Sequence, residues 1–64
     1  MKTIETKDLK VGNIIVNGKY RHEVTEIARI SDKTITFYSN RLEPNPYNGH
    51  FFNRPLLNTK INIL

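Results

Sequence analysis

The sequence predicts an all-β fold, a small five-stranded and strongly curved barrel with a long proline-rich loop. Three observations carry this reading. Apolar residues fall in short β-branched runs at alternating positions, the spacing of half-buried strands. Asn17-Gly18 separates two such runs, the strongest short-range signal for a hairpin. At 64 residues the chain is too short to fill two broad layers, so rolling one sheet lets a single apolar set serve both halves and removes most free edge.

Taken in order, "KTIETKDLK" has Thr3, Ile4 and Thr6, which favour an extended edge strand over a helical turn. "DLKVGN" reads as a turn, with the Asp8 side chain bonding the backbone two residues on and Gly12 taking positive φ. "NIIV", Asn13 to Val16, is a short strand bounded by glycines. A type I′ turn at Asn17-Gly18 leads into "KYRHEVTEIARI". There Tyr20, His22 and Val24 share one parity and Ile27 breaks it, which predicts a bulge between Val24 and Ile27. A helix is the rival for this stretch, since Val24, Ile27 and Ala28 also stand at helical spacing; the flanking Thr, Ile and Tyr residues and the hairpin favour a strand. "SDK" is a polar turn. "TITFYS" alternates, with Ile35 and Phe37 inward and Thr34, Thr36 and Tyr38 outward. Asn40 to Pro55 reads as a loop that covers the barrel's mouth and displays Tyr47, with one of Phe51 and Phe52 plugging the core. "NTKINIL" closes the fold with Ile61 and Ile63 on one face. The expected core is Ile4, Leu9, Val11, Ile14, Val16, Tyr20, Val24, Ile27, Ile35, Phe37 and Ile61, a thin set that predicts marginal stability.

Composition narrows the function classes. There is no cysteine, hence no disulfide and no thiolate metal site. His22 and His50 stand alone and far apart, which is poor material for a metal; no cofactor is expected. His22, on the apolar parity, reads as a half-buried structural histidine. The apolar runs "NIIV" and "PLL" are far shorter than the ~18 residues of a membrane span, and the mixed charges of "MKTIETKDLK" do not make a signal peptide; a cytoplasmic protein is expected. Ser31 and Ser39 lack the strand-turn-helix setting of a hydrolase nucleophile. Glu23 and Glu26, among basic neighbours, suit surface ion pairs better than acid–base work. No glycine-rich phosphate loop is present, so neither an enzyme nor a small-molecule substrate is expected. The net charge of +4 and a pI of about 9.7 favour phosphate or acidic protein surfaces as partners.

Across "DLKVGNIIVNGKYRHEVTEIARISDKTITFYS", Val11-Gly12, Ile14, Gly18, Tyr20, Glu23-Val24 and Ile27 fall in a pattern that resembles small SH3-like barrels. These include the first domain of elongation factor P, KOW-type domains and short stand-alone proteins of phages and mobile elements. The resemblance covers about half the chain and implies the fold; such barrels bind RNA, DNA, proline-rich peptides or other proteins. A Src-type peptide groove typically uses tryptophan, and this chain has none. The stand-alone accessory type is what remains.

Two partner classes follow. A protein partner, on a host or on a second copy, is expected to meet Tyr38, Arg41, Tyr47, His50, Arg54, Leu56 and Leu57, with apolar "PLL" and the strand edges inviting another chain. Alternatively, nucleic acid is expected to meet Lys19, Arg21, Tyr38, Arg41, Tyr47 and Arg54, where aromatics stack on bases and basic groups hold phosphate. A continuous positive face beside Tyr38 and Tyr47 favours nucleic acid; a flat apolar patch favours protein.

Overall fold

The computed structural model describes residues 1–64. Six strands form: β1 (Lys2–Glu5), β2 (Ile14–Asn17), β3 (Tyr20–Ile30), β4 (Ile35–Glu43), β5 (Tyr47–Asn53) and β6 (Lys60–Ile63). They make one antiparallel sheet in the order β1-β6-β2-β3-β4-β5. The fold is all-β, as the alternation predicts, and residues 20 to 30 are strand rather than helix. The number and closure differ from expectation. There are six strands, not five, and the sheet stays open, with β1 and β5 as its two borders.

The sixth strand comes from the segment read as a loop. Pro44 and Pro46 lie between β4 and β5, and Pro55 lies beyond β5, so no proline removes a ladder donor from either strand. The aromatic run then pairs back, Phe51 opposite Ser39 and Phe52 opposite Tyr38. Turn details shift as well. Asn17 pairs with Tyr20, so the two central residues are Gly18 and Lys19. Only Gly18 has positive φ, at 61°, which is the mark of a II′ turn and not of the I′ turn expected at Asn17-Gly18. Asp8 lies in a 3-10 turn, Thr6–Asp8, and the turn that follows is tied by Asn13, whose Oδ1 accepts the Lys10 N–H at 2.8 Å. The bulge forms where the parity breaks: Val24 faces Ser39 and Glu26 faces Tyr38, leaving Thr25 as the extra residue.

The concave side of the sheet carries the core, where Leu9, Val24, Ile35, Phe37 and Ile63 are buried and Ile4, Ile15, Ile27, Leu57 and Ile61 pack against them. Several expected members are elsewhere. Val11 is 63% exposed and Tyr20, at the hairpin tip, 39%. Ile15, not Ile14 and Val16, shares the concave face with His22 and Val24, because Ile15 pairs directly with His22. Three consecutive apolar residues fit either parity, and only the partner strand chooses between them.

The core's far end is held by the segment 55–59, which bonds two parts of the fold at once. The Ile35 N–H donates to the Pro55 carbonyl at 3.1 Å and the Leu57 N–H to the Lys33 carbonyl at 2.9 Å. On the other side, the Lys7 N–H donates to the Leu57 carbonyl at 3.0 Å and the Thr6 N–H to the Thr59 carbonyl at 2.9 Å. Thr6, wholly buried, adds its hydroxyl to the Leu56 carbonyl. This strap links the beginning of β4 to the end of β1.

Candidate functional site

The convex side of β3, β4 and β5 carries a cluster of rings. Tyr38 stands opposite Glu26 on β3 and Phe52 on β5, and Asn40 stands opposite Glu23. Residues directly opposite in a ladder project to the same side, so these side chains share one face. The His50 ring stacks on Tyr38 with centroids 4.1 Å apart and planes 5° from parallel. Phe52 meets Tyr38 edge-on at 5.8 Å and is 59% exposed. His50 reaches this position because its φ is 51°, a left-handed conformation costly outside glycine. Its N–H is held by Asn40 Oδ1 at 3.3 Å. Each ring pair contributes on the order of 0.5–1.5 kcal/mol. The carboxylates of Glu23 and Glu26 form no ion pair; Glu5 with Lys7 and Lys60, and Glu43 with Arg21, take that role. The surface ion pairs expected at Glu23 and Glu26 are therefore absent, since their β4 neighbours are Asn40 and Tyr38 rather than lysine or arginine.

The concave side of the same strands is different. His22 meets Phe51 edge-on at 5.7 Å and Phe51 meets Tyr47 at 5.6 Å. The Arg41 guanidinium lies 5.9 Å over the Tyr47 ring and donates through Nε to the Asn45 carbonyl at 2.9 Å. The Tyr47 ring also lies over Gly49, where a Cβ would collide with it. Buried Ser39 receives the Asn53 Nδ2 amide at 3.2 Å. Ile15, His22, Ser39, Phe51 and Asn53 line an open groove of about 270 Å³ here. His22 is half-buried, and its pKa is lowered from 6.5, first by burial and then by the Arg41 charge. Phe51 is the half-buried member of the Phe51–Phe52 pair and Phe52 the exposed one, as alternation requires.

The partner-facing residues named from sequence do not make one surface. Tyr38 and His50 stand together on the convex face. Arg41 and Tyr47 lie at the end where both hairpin tips meet; Arg21 pairs with Glu43 there at 3.9 Å and Lys19 lies 5.7 Å from the Tyr20 ring. Arg54, Leu56 and Leu57 belong to the strap end. Leu56 is 57% exposed, while Leu57 packs on the core and offers little to a partner. Phe52, Glu23 and Glu26 are absent from the partner-facing residues named from sequence. Their signal was present in the alternation, which sends Phe52 to the side opposite Phe51. What was missing was the pairing of β5 with β4 that brings all three beside Tyr38. No group of three or more His, Cys, Asp or Glu residues is arranged to hold a metal ion, and no helix is long and apolar enough to cross a membrane. Comparison with protein-family models, curated proteins and solved structures finds no match for the chain.

Proposed function

We propose that this chain is a non-enzymatic docking module, an accessory protein of the stand-alone phage or mobile-element kind that engages a host protein or a second copy of itself through the convex face of β3–β5. The observation that carries the reading is the Tyr38–His50–Phe52 cluster, solvent-facing at Phe52 and set beside two carboxylates without ion-pair partners. Interface centres favour exposed aromatic rings. Nucleic acid is disfavoured at this face because Glu23 and Glu26 repel phosphate where the rings would stack on bases.

A second reading, nucleic-acid binding, has its own support at the hairpin tips. Lys19, Arg21 and Arg41 gather there with Tyr20 and Tyr47, against the single carboxylate of Glu43. Two measurements separate the readings. Affinity capture is run with the native chain, with Phe52→Asp and with a Lys19→Ala/Arg41→Ala double variant. A protein retained by the native chain and the double variant, and lost by Phe52→Asp, is the outcome expected. Fluorescence anisotropy with single-stranded and duplex oligonucleotides at low salt is the counter-test. Binding that weakens steeply with salt and disappears in the double variant would replace protein docking with the second reading.

A further inference from the structure

The sheet has two borders, and they are not equally open. At β5, two steps of β4 (Ser39 to Arg41) face four steps of β5 (Phe51 to Tyr47), His50 is left-handed, and Pro44 and Pro46 precede the strand. Bulges and prolines of this kind are how sheets blunt an edge. By contrast β1 pairs with β6 without a break, from Lys2↔Ile63 to Glu5↔Lys60, and contains no proline. Antiparallel ladders alternate bonded and non-bonded pairs. Since the Thr6 N–H donates to the Thr59 carbonyl, Ile4 and Lys2 are the bonded members that follow in register. The N–H and C=O of Thr3 and Glu5 therefore point away from β6, to the open border.

Beside this border, on the concave side, runs the largest groove of the molecule, about 560 Å³, within the range of ligand-binding clefts. Its apolar lining is Ile4, Leu9 and Ile63; its rim carries Lys2, Lys7 and Lys10 against one acid, Asp8. Lys7 is partnered by Glu5 at 3.5 Å, while Lys2 and Lys10 have no carboxylate partner.

We propose that this border and groove bind an extended acidic peptide segment, which adds to β1 as a further strand. Its main chain bonds the free groups of Thr3 and Glu5, and its carboxylates meet Lys2 and Lys10. Strand alternation sets its pattern. Residues on the groove side are acidic opposite Lys2 and apolar opposite Ile4. Residues on the other side face Thr3 and the Glu5 carboxylate and are neutral. This site lies apart from the convex ring cluster and does not rest on it.

The test is an NMR titration of the full chain with a short blocked peptide alternating Thr with Glu and Val, beside its Lys-for-Glu twin. The expected result is saturable binding of the acidic peptide alone. Shifts are confined to Lys2–Glu5 and residues 7–13, and the Thr3 and Glu5 amides gain protection from exchange. Lys2→Glu/Lys10→Glu is expected to weaken binding by about tenfold or more and to transfer it to the Lys twin. Thr3→Pro, which removes an outward N–H and, of the bonds to β6, only that from the Thr3 hydroxyl to Asn62 Oδ1 at 2.7 Å, is expected to abolish it, and Phe52→Asp to leave it unchanged. If Thr3→Pro does not fold, the shift map and the charge exchange decide. No response to the acidic peptide, an equal response to its Lys twin, shifts at β5, or an equal response to a single-stranded oligonucleotide overturns the proposal.

Discussion

Gly18 holds the β2–β3 reversal at a φ of 61°, and a Cβ added there meets nothing within 4 Å. The cost of replacing it is therefore backbone strain alone. Gly18→Ala is expected to destabilise the fold by about 1 kcal/mol, read as a lower urea midpoint with an unchanged slope. His22 supplies a second expectation. Its folded pKa lies below 6.5, so the unfolded chain takes up a proton at higher pH than the folded one. Stability from this residue is complete above about pH 6.5 and falls as pH drops towards the folded pKa. The urea midpoint is expected to decrease from about pH 7.5 to about pH 5.5, and His22→Gln to remove that part of the decrease. The histidine's burial was legible, since it shares the parity of Val24. The Arg41 charge opposite was not, because only the β3–β4 register brings it there.

At the scale of elements, the strap is held by one buried side-chain bond, from the Thr6 hydroxyl to the Leu56 carbonyl. Thr6→Val keeps the shape and leaves that carbonyl with the Thr59 N–H at 3.1 Å as its other donor, so the expected loss is about 0.5–1.5 kcal/mol by thermal or chemical unfolding, and Thr6→Ser is expected to restore most of it. Thr6 reads in the sequence as one more strand former. Its partner lies 50 residues away, and no local pattern announces such a bond. The bulge at Thr25 was legible because it leaves a local trace, a change of apolar parity between Val24 and Ile27. Strand β5 was not, because prolines signal a loop in the sequence whether they interrupt a strand or only bound one. The candidate site was illegible for the same reason, since Tyr38, His50 and Phe52 meet only if Tyr47–Asn53 zips against β4.

For the whole molecule, five apolar side chains are buried among 64 residues, only Val24 and Ile35 of them completely. A core of that size supports only about 3–5 kcal/mol. Ile35→Ala, at a wholly buried position, removes about 2–5 kcal/mol, so circular dichroism at room temperature is expected to show a largely unfolded chain. The strap has a kinetic consequence too. The β3–β4 hairpin closes over the short Ser31–Thr34 turn, whereas the strap must bring together segments separated by most of the chain, at a greater loop-closure cost. The hairpin is therefore expected to form within the rate-limiting barrier and the strap to dock after it. In stopped-flow experiments Thr6→Val is expected to accelerate unfolding with little change in refolding rate, the signature of a contact made on the native side of the barrier. A slowed refolding arm would reverse that order of events.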